Sequence, residues 1–146
     1  MSDIQIRELG MASLPLSNIY HLKQSDEFER VYALLQKTVE VRNKSQLPEK
    51  EETGKLSQMF SDIVGFLYSA IEYIKFIRVA WQINSYEKSD FQTDEQKTEL
   101  LQIHQEFQPI LEQAKINSEA NPSDKRLSHV LKTVETISKE IGSFIE

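Results

Sequence analysis

The sequence has no cysteine among its 146 residues, which removes disulfides, thiolate metal sites and cysteine nucleophiles together. Glycine and proline are scarce as well, with four of each. Both residues interrupt helices, so their rarity predicts long uninterrupted ones. The four glycines, Gly10, Gly54, Gly65 and Gly142, are too dispersed to form a phosphate cradle. Positive charge is in deficit too: Lys and Arg number 17 against 23 Asp and Glu, a formal net charge of −6. Such a chain is repelled by phosphate backbones and anionic lipid, so neither nucleic acid nor a membrane surface is an expected partner.

The N-terminus carries Asp3 and Glu8 and lacks a basic region followed by an apolar run, so no secretory signal is read there. With the missing cysteines, this points to a cytoplasmic protein. The greasiest stretch, from Met59 to Ile83, is interrupted by Asp62, Glu72, Lys75 and Arg78. Each would be costly in lipid, so the stretch reads as a buried helix.

Apolar spacing locates four helices. The first covers about Ser25 to Arg42, where Phe28, Val31, Tyr32, Leu35 and Val39 recur at three- and four-residue steps. Asp26 and Glu29 have the spacing of a capping box, and Ser25 is an equally good cap. Polar residues from Asn43 to Gly54 read as a solvated loop. The second helix covers about Lys55 to Tyr86, with Leu56, Phe60, Ile63, Leu67, Ile71, Ile74, Ile77 and Trp81 in one stripe.

The third helix starts after Thr93. Thr93 and Gln96 form a capping box, and Asp94 and Glu95 suit the positive end of the helix dipole. Leu100, Leu101, His104, Phe107, Leu111 and Ala114 share a face, and Pro109 should bend the helix rather than end it. The fourth helix is expected to be capped by Asn121, with Pro122 at its first position. It carries Leu127, Val130, Leu131, Val134, Ile137, Ile141 and Phe144. Residues 1–20 read as an extended arm. The expected fold is therefore all-α: an up-down four-helix bundle over residues 21–146 with an extended N-terminal arm.

A search for chemistry yields little. Three residues before His21, His104 and His129 stand Asn18, Leu101 and Arg126, so the Glu-x-x-His motif of di-iron bundles is absent. No two histidines share a helix turn, so no metal site and no cofactor is expected. A serine nucleophile elbow is missing, and Asp62 and Glu72 lie about 15 Å apart along a helix axis, too far for paired-carboxylate hydrolysis. No enzymatic activity is expected. His104 falls on the inward face and is expected to be a buried neutral imidazole with a hydrogen-bond partner.

The string His129-Val130-Leu131-Lys132-Thr133 resembles the histidine-phosphotransfer module. There an exposed histidine on a four-helix bundle accepts the phosphoryl group and a lysine follows three residues later. The resemblance implies His129 as an alternative phosphoacceptor, pointing to water with Lys132 beside it. Thr133 stands where such modules favour glycine, and His129 falls in the final helix rather than an earlier one.

Two features point to a protein partner instead. Helix two carries a second apolar stripe, Met59, Phe66, Tyr73, Phe76, Ala80 and Ile83. It reads as core under neighbouring helices, as a bed for the arm, or as an interface that a symmetric homodimer would cover. Its aromatics, near Trp81, also suggest a lining for a small ligand. Second, Glu87 to Ala120 holds eight acids against three bases, a net of −5, which leaves −1 for the remainder. Within it Glu95, Glu99, Glu106 and Glu112 mark an acidic face suited to a basic partner. The leading expectation is a small non-enzymatic regulator, adaptor or inhibitor, such as an immunity- or antitoxin-like protein, or an assembly subunit.

Overall fold

The computed structural model describes residues 16–44 and 71–146. Among these the only regular elements are five α-helices and one short 3-10 turn: α1 (Leu16–Lys23), α2 (Phe28–Asn43), α3 (Ile71–Asn84), the turn Lys88–Asp90, α4 (Asp94–Ala120) and α5 (Lys125–Ser143). The all-helical expectation therefore holds for the described residues.

Leu16 to Tyr20, assigned to the extended arm by sequence, instead open α1. Ile19 and Leu22 lie one turn apart and are both buried, so an eight-residue helix too short to stand alone is held by packing. Residues 1–15 of the expected arm lie outside the described residues, as does the expected second helix before Ile71.

The caps differ in detail from the sequence reading. Glu27, not Ser25 or Asp26, precedes α2, and no side chain caps it. The Ser25 hydroxyl instead donates to the Leu22 carbonyl at the end of α1 (2.7 Å). Thr93 and Gln96 do form the capping box of α4. That helix runs on through Pro109, which faces solvent. At the last helix the cap is Asp124, whose carboxylate accepts from the Arg126 amide. Asn121 ends α4 instead, its side chain donating to the Asn117 carbonyl (3.3 Å).

Helix directions follow from the contacts. Lys44 reaches Glu95 and Glu99, Lys37 reaches Glu106, and Asn117 reaches Glu27, so α2 and α4 are antiparallel. Phe91 stacks on Phe144, which makes α4 and α5 antiparallel across the short loop 121–124. Phe76 packs on Phe28 and Tyr32, whereas Tyr86 lies under Arg42. Hence α3 runs in the same sense as α2, and the consecutive up-down order expected from sequence fails at this pair.

The core gathers Leu35, Ile77, Ile83, Phe91, Leu100, Phe107, Val134, Ile137 and Ile141, all fully or almost fully buried. Each such side chain contributes about 1.5–3 kcal/mol relative to exposure. The row in α5 follows its expected heptad-like spacing.

Candidate functional site

Residues that the sequence keeps far apart meet in the tertiary structure at three places. The first is a polar knot at the end of α2. Arg42 Nη2 donates to Asp90 Oδ1 at 3.3 Å, and their side chains are 2% and 4% exposed. The guanidinium also lies over the Tyr86 ring, 5.4 Å from its centre. The Glu87 amide donates to Asp90 Oδ2 at 2.7 Å. Gln96 has a double role. Its Oε1 accepts from the Thr93 amide, closing the capping box, while Nε2 donates to the Val41 carbonyl (3.0 Å) and to the Asp90 carbonyl (3.3 Å). The Val41 carbonyl, in the last turn of α2, also accepts from the Lys44 amide (3.2 Å), so Gln96 adds a second donor from α4 to the end of α2. The Arg42, Asp90 and Gln96 contacts tie the end of α2 to the start of α4 and to the turn between α3 and α4.

The second is the acidic edge of α4. Glu99 accepts from Lys44 at 2.5 Å, Glu95 lies 3.6 Å from the same ammonium, and Glu106 lies 3.9 Å from Lys37. The Glu99 hydrogen bond, with the charges of Glu99 and Glu95, holds the Lys44 ammonium above its ordinary range. Between the helices runs an open groove of about 260 Å³ lined by Lys37, Glu40, Lys44, Glu99, Gln102 and Glu106, with Val41 and Ile103 at its floor. Glu112 does not belong to this edge. It lies six residues after Glu106, about 120° further round the helix, and makes no ion pair among the described residues.

The third is a contact between two histidines. His21 on α1 and His129 on α5 approach with Nδ1···Nδ1 at 3.0 Å. Their ring centres are 5.1 Å apart and the planes differ by 16°. The difference between these separations is close to the largest two imidazoles allow, so the rings meet edge to edge through their nitrogens rather than face to face. His129 is thus half-buried against another imidazole, not directed to water as expected, while Lys132 one turn on is exposed. Asp124, the cap of α5, stands within electrostatic range of His21. Arg126 dominates that carboxylate, donating to it through Nε (3.1 Å) and Nη2 (3.0 Å) and holding it below the ordinary carboxylate range. Helix spacing could not reveal the histidine pair, because the two residues are 108 positions apart.

His104 is half-buried, not fully enclosed, and makes no hydrogen bond among the described residues. Its ring lies against Gly142, where a Cβ would stand 3.0 Å from His104 Nε2. The ring also borders a second open groove with Leu111, Lys132, Glu135, Ser138 and Lys139.

The apolar stripe proposed as an interface resolves differently. Phe76, Ala80 and Ile83 are 1%, 3% and 0% exposed within the single chain. Phe76 fills the space between Phe28 and Tyr32, at ring-centre distances of 5.3 and 5.9 Å. These three belong to the core, because α3 turns this stripe toward α2. Met59, Phe66 and the side chain of Tyr73 lie outside the described residues. Neither of these two grooves is lined by Trp81 or Phe76.

Among the described residues no three His, Asp or Glu side chains cluster to hold a metal ion, and no helix is long and apolar enough to cross a membrane. Comparison with known proteins gives no match: no family model, no curated protein and no solved structure is similar to this chain.

Proposed function

We propose that the chain is a non-enzymatic interaction module that binds a basic protein through the acidic edge of α4. The observation that carries this reading is the charge laid along the α2–α4 groove. Glu40, Glu99 and Glu106 line it, Glu95 stands near its rim, and Lys37 and Lys44 offset them only in part. The pairs of Glu95 and Glu106 are open to water, where such pairs add little to stability, so these two glutamates can exchange partners at low cost, while Glu99 is half-buried. A basic helix or loop laid in the groove would satisfy them, and the surplus negative charge would speed encounter. Regulation by capping a basic surface, as an inhibitor or immunity-like protein does, fits this chemistry. A homodimer through the second stripe of α3 loses its support at Phe76, Ala80 and Ile83, which are already covered.

The test is affinity capture from the native source with the natural chain and with a Glu95→Lys, Glu99→Lys, Glu106→Lys triple variant. A partner that is basic, released by salt and missing from the variant supports the reading. A partner retained equally by both proteins removes the acidic edge from consideration. Light scattering at high concentration checks the other half: a monomer is expected.

A further inference from the structure

We propose that His21 and His129 form a bis-imidazole site for a divalent late first-row metal ion of the zinc or copper(II) type, which staples α1 to α5. The argument starts from ligand geometry. An ion bonded to two imidazole nitrogens at about 2.0–2.1 Å and a near-tetrahedral angle sets those nitrogens about 3.3 Å apart and the ring centres about 5 Å apart. The pair here has its nitrogens at 3.0 Å and its ring centres at 5.1 Å. A turn of about 35° by each ring takes the two lone pairs from facing one another to converging on one point at the near-tetrahedral angle. α1 and α5 already hold the two nitrogens within about 0.3 Å of the metal-bound spacing.

The chemistry of the metal-free pair favours the exchange. Two neutral imidazoles in contact through Nδ1 need opposite tautomers, one donating and the other accepting. On metal binding the donating ring moves its Nδ1 proton to Nε2 through water. Both Nδ1 lone pairs then serve the ion, and no net proton is released. Imidazole suits zinc, copper and nickel and discriminates against magnesium and calcium. Asp124 beside His21 contributes negative potential, though its oxygens remain with Arg126 and the helix amide. Two protein nitrogens leave the other coordination positions to water. The affinity is therefore that of a two-ligand surface site, well below that of a closed structural zinc centre.

The consequence is mechanical. α1 has eight residues and is anchored by Ile19 and Leu22. An ion that bridges α1 to α5 in the folded chain and cannot do so in the unfolded one stabilises the docked state by mass action.

Thermal unfolding of the full chain with added zinc chloride tests this. The expected result is a midpoint that rises with Zn²⁺, rises further with Cu²⁺ at equal concentration, and does not move with Mg²⁺. In His21→Gln and in His129→Gln the shift should vanish. No shift at millimolar Zn²⁺, or a shift that survives both substitutions, overturns the proposal. Should either variant fail to fold, substoichiometric Cu²⁺ added to the natural chain decides the matter by proton NMR. The ring signals of His21 and His129 should broaden before those of His104, and equal broadening of all three would overturn the site.

Discussion

At one end of the molecule the helices are joined by a charge pair sealed from water; toward the other, two half-buried imidazoles join them. Arg42 and Asp90 sit where Tyr86, Gln96 and the Glu87 amide leave no room for solvent. His21 and His129 touch only at one edge of each ring, with water within reach. The contrast shows that burial, more than bond type, sets what the loss of a partner costs. A guanidinium left alone in the knot keeps a desolvated charge, whereas an imidazole left alone at the seam is solvated. The knot is built to stay closed and the seam can exchange what it holds.

The largest effect should come from breaking the knot on one side. Arg42→Ala is expected to cost about 3–5 kcal/mol in urea denaturation, because the buried Asp90 carboxylate loses its countercharge. The double variant Arg42→Met, Asp90→Leu should recover part of that loss, less the hydrogen bond that the Glu87 amide gives up. A single substitution as mild as one at the surface would break the comparison.

Phe76→Ala comes next, at about 3–5 kcal/mol, since it opens a cavity between Phe28 and Tyr32. Its oligomeric state should not change. A folded variant that instead loses self-association would return the stripe to the surface.

At the seam, His21→Gln without metal should cost only about 1 kcal/mol, the value of one partly exposed hydrogen bond. A loss equal to that of Arg42→Ala would show the two ends to be alike. Thr93→Ala, which removes a cap beside the knot, is expected at about 1 kcal/mol as well.

The smallest effect is one of pH. Arg126 lowers the Asp124 carboxyl below its ordinary range, so this pairing contributes fully above that range and is lost as pH falls through the lower folded value. Asp124→Asn keeps an oxygen acceptor for the cap but should flatten the acid limb of the stability profile between those two points. An unchanged acid limb would place the charge elsewhere.

The sequence showed clearly the features that depend on neighbours a few residues apart. The heptad-like row of α5, the capping box of Thr93 and Gln96 and the continuation of α4 through Pro109 all rest on spacing within one helix. The cap of α5 was misplaced because Asn121 and Asp124 are both good caps, and only the turn between them decides which carboxamide or carboxylate meets an amide. The candidate site was less legible. The acidic edge showed as a charge surplus, but its pairing with Lys37 and Lys44 depends on α2 lying alongside.

By itself, the sequence determined that the described chain would be helical, since periodic apolar residues with few glycines and prolines leave the backbone no better way to bury them. It also determined the acidity of α4, because charge needs no fold to exist. The tertiary structure alone decided which apolar stripe of α3 became core, that α3 runs alongside α2 in the same sense, and that His21 and His129 meet. Those outcomes depend on how helices choose neighbours, and that choice is made by side chains distant in sequence competing for the same buried space.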